Sequence, residues 1–520
     1  MTSDQGGSMP ATLPIIYVRG YAGGTSGIDK QVDDPFYGFN TGSTHVRTDG
    51  DGDPRFYQFE SPMLRLINDE GYELFVQGDQ TAYLRARRDG GVKSNSIWVY
   101  RFYDASATTF GKEPVDFDIE SAAGGLYDYL RLVLAKTGAP KVYLLAHSMG
   151  GLVCRCMLQK ISFQKDAEGQ DRIPGKELVD RLFTFGTPHG GIGFEAGSGL
   201  IDWALETFGP NGSDIFSPTM MYGYLHPQAR WGDEAPEGWL PHEIPAEAFD
   251  SRRVFCLIGT DAKDYGIARK LVGPKSDGLV MIDNAYVRNG HRAFVHRAHS
   301  GRYGLVNSEE GYQNLRRFLF GEVEVRVELR NLKLPPPKRD VKESWQAEIR
   351  LSVRGLPIVM HEQLAAHHCP IQLNMEQIQR RDTADAPVPL TTVFLLDRNR
   401  FDPDATNELP ERCRYALHLK VFRLEEKDGF FFWNDHLEQT ADWDDSLIVD
   451  VGQADGGERE GLRAWTAWNS EVAGVIADQD PITHEPLLFQ DGTATLPIPD
   501  AAKPVLGDAA QLVFTVAQRT

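Results

Sequence analysis

The stretch KVYLLAHSMGGLVCR, Lys141–Arg155, decides the fold of this chain. A short apolar run ends abruptly at AHSMGG (146–151), and a new apolar pattern begins directly after it. A buried strand that turns sharply into a helix has this pattern, and a serine in the turn stands clear of the sheet. The residues two before and two after the serine must be small, because the backbones of strand and helix approach closely there. Ala146 and Gly150 meet that requirement, so the turn fits a nucleophile at Ser148 and also fits a small residue in an ordinary tight turn.

Size, charge and cysteine content restrict the class of protein. The chain of 520 residues is longer than one hydrophobic core usually supports, which predicts two domains. The formal net charge of −20 argues against a nucleic-acid partner, because phosphate backbones require clustered Lys and Arg. Five cysteines without CxxC spacing predict free thiols in a reducing compartment.

Targeting signals are the next feature. The N-terminal residues lack the basic and apolar regions of a signal peptide. No run reaches the ~18 apolar residues that a membrane span requires. We therefore expect a cytoplasmic protein without a transmembrane segment, while export by a route that uses no signal peptide stays open.

Two patterns of hydrophobicity divide the chain. From about residue 13 to 320, nearly continuous apolar runs such as PIIYVRG, IWVYRFY and RRVFCLIG alternate with helical patterns. This alternation predicts a mostly parallel α/β sheet with helices on both faces. After Gly321 the period changes to two, in EVEVRVEL and WQAEIRLSV among others, which predicts an antiparallel β-sandwich. The predicted domains are residues 1–321 and 322–520.

An insertion at about 192–250 separates two of the sheet strands. Leu205 and Phe208 lie on one apolar helical stripe, and Met220 and Met221 follow it. The stripe fits a helix packed on the sheet and also fits a cap over a site. In the second interpretation, these four side chains contact the substrate.

Three further stretches accompany AHSMGG: PIIYVRGYAGG (14–24), TFGTPHGG (184–191) and SDGLV (276–280). Together the four motifs resemble the α/β-hydrolase superfamily and, within it, the bacterial lipases and esterases, some of which carry A-H-S-x-G at the nucleophile. PIIYVRGYAGG (14–24) resembles the strand and glycine-rich loop that supply one oxyanion N–H. TFGTPHGG (184–191) resembles the Thr-Pro-His segment after the next strand, and SDGLV (276–280) the loop with the triad acid. The resemblance covers about residues 13–320 and implies an α/β-hydrolase fold that needs no cofactor.

The chain order of the family's triad is serine, acid, histidine. The resemblance therefore implies Ser148 as nucleophile, Asp277 as acid and His299 as base. His299 would remove the serine proton, and the attack on an ester carbonyl would form an acyl-enzyme that water releases. The backbone N–H groups of Met149 and Tyr21 would bind the oxyanion.

Other residues compete for two of these roles. His296 lies three residues before His299 and is an alternative base. Asp261 and Asp264 directly follow the strand-like run RRVFCLIG and are positional alternatives to Asp277 as the acid.

One acidic stretch raises the question of a metal. DGDGDPRFYQFE places Asp49, Asp51 and Asp53 at ligand positions of a calcium loop. Pro54 occupies the position at which that loop needs glycine for its sharp turn. A solvated acidic turn is therefore the favoured interpretation, and we expect no metal.

The expected function is that of a serine-dependent carboxylic ester hydrolase of the lipase or esterase type, with an ester or lipid as substrate. Phospholipase, lysophospholipase, GPI-inositol-deacylase-like and acyltransferase activities would use the same triad and are alternatives. A non-catalytic binding or scaffold protein on a hydrolase fold is the alternative of another class. For the C-terminal domain, a stabilising role and docking onto a surface or partner protein both fit the pattern.

Overall fold

The computed structural model describes residues 12–20, 43–48, 54–59, 62–75, 79–102, 118–192, 214–263, 272–301, 304–336, 342–373, 387–396, 412–426, 441–453, 462–472, 482 and 485–519. The chain forms two compact units. The first comprises Met1–Arg292 and Arg297–Tyr312, and the second comprises Ala293–His296 and Gln313–Thr520.

Seven strands form the central sheet. Their bounds are β1 Ile15–Val18, β4 Glu73–Leu74, β5 Ser96–Tyr100, β6 Val142–His147, β7 Val179–Phe185, β8 Val254–Gly259 and β9 His291–Val295, and a separate hairpin consists of β2 Ser43–Thr48 and β3 Pro54–Phe59. The order across the sheet is β4-β5-β1-β6-β7-β8-β9, and neighbours from β4 to β8 pair in parallel. Every residue of β1 and of β8 is buried, as expected for strands that are covered on both faces.

Helices follow most of these strands. Their bounds are α1 Pro62–Glu70, α2 Gln80–Arg85, α3 Ile119–Thr137, α4 Met149–Gln159, α5 Gly175–Leu178, α6 Pro218–Leu225 and α7 Glu309–Phe320, with 3₁₀ turns at Ile161–Phe163, Asp214–Phe216, Ser251–Arg253 and Ile282–Asn284. Helix α3 begins where the Asp118 carboxylate accepts the N–H of Ser121, and it ends at Gly138 in the left-handed conformation. Helix α4 is buried along its whole length and packs with α3 and the sheet in one apolar core.

The first unit has the α/β-hydrolase fold. Its central strands are parallel, and the chain passes from the middle strand β6 directly into the buried helix α4. The prediction of a mostly parallel α/β sheet is confirmed. Among the helices in the described part of the chain, none has both the length and the apolar character to cross a bilayer.

The second unit contains two antiparallel sheets. Its strands are β10 Val323–Arg330, β11 Lys342–Val353, β12 Val359–Gln363, β13 Ile371–Gln372, β14 Val388–Leu395, β15 Arg412–Glu426, β16 Trp443–Gln453, β17 Leu462–Trp468, β18 Thr493–Pro497 and β19 Gln511–Gln518, with 3₁₀ turns at Ala365–His367, Asn469–Glu471 and Asp500–Ala502 and a short helix α8 Lys503–Leu506. The sheet orders are β14-β10-β19-β18 and β12-β11-β15-β16-β17, with β13 paired to β11. Alternate side chains from both sheets share one apolar core, among them Val325, Leu417 and Phe514. The predicted antiparallel sandwich is confirmed.

Several residues singled out in the sequence lie outside the described residues: Tyr21, Asp49, Asp51, Asp53, Leu205, Phe208 and Asp264.

Candidate active site

Ser148 forms the turn between β6 and α4. Its φ of 53° and ψ of −129° are unusual for a residue with a side chain and mark a strained backbone. The Ser148 N–H donates to the Phe185 carbonyl at 2.9 Å, and the Thr187 hydroxyl donates to the Ser148 carbonyl at 2.8 Å. Strand β7 and the loop after it therefore hold the strained turn from both sides of the serine.

Close backbone approaches explain why small residues surround the serine. A Cβ on Gly150 would lie 2.3 Å from the Val18 carbonyl oxygen, and one on Gly20 would lie 2.8 Å from Cβ of Ser148. Such distances are far below van der Waals contact, so a side chain at either position would displace backbone. The turn therefore fits against the end of β1 only with glycine at both positions.

Three of the sequence-predicted side chains meet at this turn. The Ser148 hydroxyl lies 3.0 Å from His299 Nε2, and His299 Nδ1 lies 2.8 Å from Asp277 Oδ2. The exposed fractions are 8% for Ser148, 2% for His299 and 1% for Asp277. This is a continuous hydrogen-bonded chain from a hydroxyl through an imidazole to a carboxylate, shielded from water.

The orientation of Asp277 is fixed by its own loop. Its Oδ1 accepts the backbone N–H groups of Leu279 and Val280 at 3.0 and 2.7 Å. Its carbonyl accepts the His299 N–H at 2.9 Å. Because Oδ1 is occupied by two loop donors, Oδ2 is the oxygen that faces the imidazole.

The alternative residues have other environments. The His296 ring is exposed and stacks on the His367 ring, with a centroid distance of 3.9 Å. Asp261 is buried, and its Oδ1 accepts the Lys263 N–H at 2.8 Å. The two residues that the structure brings into line with Ser148 are His299 and Asp277.

The first turn of α4 supplies backbone donors beside the serine. Met149 is the first residue of this helix, and N–H groups in a first turn have no acceptor within their own helix. The positive end of the helix dipole lies at the same place. Such a turn can receive an oxyanion that develops next to the Ser148 hydroxyl.

Two further histidines flank the serine turn. His147 Nε2 lies 3.1 Å from the His299 carbonyl oxygen, and His189 Nε2 lies 3.1 Å from the Thr184 hydroxyl. Burial lowers the pKa of both imidazoles well below the ordinary value. Both rings are therefore neutral at the pH values at which a free histidine titrates.

The far half of α4 carries two polar side chains whose role the sequence does not reveal. Arg155 donates to the carbonyls of His189 and Glu243, at 3.0 and 2.9 Å. Gln159 donates to the Leu225 carbonyl at 3.3 Å. The sequence shows these residues as polar positions in an otherwise apolar helix. It does not show which carbonyls they bind, because those carbonyls lie far along the chain.

Lys160 completes this set directly after α4. Its ammonium group donates to the carbonyls of Gly223 and Ala229, at 2.7 and 2.9 Å, and to the Glu120 carboxylate at 2.7 Å. Residues 214–250 of the insertion are thus bound to the same helix that begins at the serine.

Met220 and Met221 lie on α6 in this insertion. Met221 is fully buried, and a Cβ on Gly191 would lie 3.1 Å from its sulfur atom. Met220 is half-buried. Met221 therefore packs behind the TPHGG loop.

Comparisons with known proteins give distant structural likenesses. The chain is similar to the Bacillus licheniformis lipase BlEst2, with a TM-score of 0.29 and 14% identity over 60% of this chain and 93% of that chain. It is also similar to the phospholipase PlaB from Legionella pneumophila, with a TM-score of 0.29 and 10% identity over 81% of this chain and 90% of that chain. Aspergillus fumigatus lipase B gives a TM-score of 0.25 and 10% identity over 57% of this chain and 47% of that chain. No family model and no curated protein matches the sequence.

Proposed function

We propose that this protein is a serine hydrolase that cleaves carboxylic esters through an acyl-enzyme. The observation that carries the proposal is the hydrogen-bonded chain from the Ser148 hydroxyl through His299 to Asp277, with distances of 3.0 and 2.8 Å. It begins at a strained turn in front of a helix N-terminus, where a nucleophile and an oxyanion site are adjacent. Residues 1–321 would form the catalytic part of the chain.

The hydrogen bonds define the direction in which the proton moves. Asp277 Oδ2 accepts a hydrogen bond from the N–H at His299 Nδ1, so the neutral imidazole presents a lone pair at Nε2 to the serine hydroxyl. His299 takes the serine proton as Ser148 Oγ bonds to the ester carbonyl carbon. The imidazolium then protonates the leaving alkoxide, and a water molecule repeats the sequence to release the acid.

The negative charge of the tetrahedral intermediate would fall beside the start of α4. The Met149 N–H is proposed as one oxyanion donor, and the Tyr21 N–H, outside the described residues, as the second. Both donors belong to the backbone, so their chemistry is independent of the side chains at those positions.

A fluorophosphonate probe tests the proposed nucleophile directly, because it reacts with an activated serine without requiring the natural substrate. We expect the wild-type protein to be labelled, and neither the heat-denatured protein nor Ser148→Ala to be labelled. A wild-type protein that resists labelling would overturn the proposal and favour a non-catalytic binding protein.

The class of ester is tested by turnover across a series of p-nitrophenyl esters of increasing chain length, with Ser148→Ala as the blank. A lipid ester hydrolase should retain activity on long acyl chains. Turnover restricted to short, soluble esters would assign the protein to the esterases instead. Release of fatty acid from phospholipid vesicles measures the phospholipase alternative.

A further inference from the structure

His147 lies between the proposed nucleophile and the proposed base. It is the last residue of β6, directly before Ser148, and its ring centroid lies 5.0 Å from that of His299. The His147 Nε2 atom lies 3.1 Å from the His299 carbonyl oxygen. A carbonyl can only accept a hydrogen bond, so Nε2 carries a proton and donates it.

The backbone of His299 is held at both of its polar groups. Its N–H donates to the Asp277 carbonyl at 2.9 Å, and its C=O accepts from His147. The residue that accepts the His299 N–H is thus the proposed acid, Asp277. The residue that donates to the His299 carbonyl, His147, directly precedes the proposed nucleophile in the chain. The position of the imidazole relative to both partners depends on these two backbone contacts.

We propose that His147 is a positioning residue that fixes the His299 imidazole at hydrogen-bond distance from the Ser148 hydroxyl. This inference rests on the proposed function of Ser148 and His299. The His147 ring also fills the space beside Gly20, where a Cβ would lie 3.3 Å from His147 Nδ1. It therefore links the turn, the base and the loop after β1.

The charge state of His147 suits this role. Burial is the largest cause that lowers its pKa, followed by the neighbouring His299 and by Arg19, while the hydrogen bond to the His299 carbonyl acts in the opposite direction. The ring stays neutral, so it adds no second cation beside His299 when that imidazole takes up the serine proton. A lysine or arginine could make the same hydrogen bond but would oppose that protonation.

The test compares three substitutions in the full-length protein. His147→Gln keeps an N–H that reaches the Nε2 position, His147→Asn keeps an amide that is one carbon shorter, and His147→Leu keeps apolar volume without a donor. The readouts are kcat, KM, the rate of fluorophosphonate labelling and the melting temperature.

We expect the Leu and Asn variants to lose about 10- to 100-fold in kcat and in labelling rate, with KM within about twofold of wild type, because positioning of a base acts on the chemical step. The Gln variant should recover to within about fivefold of wild type. A Leu variant that labels and turns over at the wild-type rate would refute the proposal. So would a Gln variant no faster than Asn at equal melting temperature. Absence of labelling in the wild type would instead refute the proposed function.

Discussion

Replacement of Asp277 by asparagine should abolish most of the activity while leaving the fold intact. In the wild type, Oδ1 accepts two backbone N–H groups, those of Leu279 and Val280. An amide nitrogen cannot accept hydrogen bonds, so the asparagine must turn its oxygen toward those two donors. Its NH₂ group then faces His299 Nδ1 and forces the imidazole proton onto Nε2.

With its proton on Nε2, His299 cannot take the proton of the Ser148 hydroxyl. Loss of the correct tautomer at such a site reduces kcat by about 10³- to 10⁴-fold, a range that includes the loss caused by the same aspartate-to-asparagine replacement in serine proteases. That factor corresponds to about 4–5.5 kcal/mol of transition-state stabilisation. KM should stay within about threefold, because the substrate does not contact the carboxylate.

Two measurements check this prediction: kcat on a short p-nitrophenyl ester and the rate of fluorophosphonate labelling. Asp261→Asn is the matched control, since Asp261 is also a buried carboxylate that accepts a backbone N–H in a neighbouring loop. We expect the control to retain kcat within about threefold of wild type. If Asp277→Asn kept more than a tenth of the wild-type kcat, or if Asp261→Asn lost as much, the assignment of the acid would be wrong.

Three further predictions concern stability. Gly150→Ala should lower the free energy of unfolding by about 3 kcal/mol or prevent folding, since its Cβ would lie 2.3 Å from a backbone oxygen. The control is Gly124→Ala, whose Cβ would lie in open space and which should leave the urea midpoint unchanged. Lys160→Met should lower the free energy of unfolding by about 2 kcal/mol, because two buried carbonyls and the partly exposed Glu120 carboxylate lose their donor. An unchanged urea midpoint would contradict this. The pKa of His189 is lowered by burial and then by Arg155 and His242, so the unfolded chain binds a proton below about pH 6.5 that the folded chain does not. Stability should therefore fall as the pH falls below that value, by up to about 1.4 kcal/mol per pH unit, and His189→Gln should flatten this slope.

The sequence was sufficient to predict the fold because its signals are local. A continuous apolar run, a small-residue turn and a second apolar pattern lie within Lys141–Arg155, and each corresponds to an element or to the turn between them. The period-two pattern after Gly321 is equally local, and it predicts the antiparallel strands such as β10 and β11.

Local sequence signals do not identify the acid, and only the resemblance of the SDGLV motif favours Asp277. Asp261 follows the buried strand β8, whereas Asp277 lies in the SDGLV segment, and neither neighbourhood specifies which carboxylate reaches the imidazole 22 positions beyond Asp277. Only the loop geometry distinguishes them, because Oδ2 of Asp277 lies 2.8 Å from His299 Nδ1. The anchoring of the insertion by Arg155 is still less visible in sequence, since its acceptor at Glu243 is 88 positions away.

Helix α4 connects these separate observations. Its first residue follows a serine held in a strained conformation, and such a conformation persists only where the surroundings determine it. The surroundings act at both ends of the helix. Glycines that admit close backbone contact fix the N-terminal end, and the buried donors Arg155 and Lys160 bind the C-terminal end to the insertion. A rotation or shift of α4 would break contacts at both ends together, so among the described residues the strain at Ser148 cannot relax through the movement of one neighbouring element.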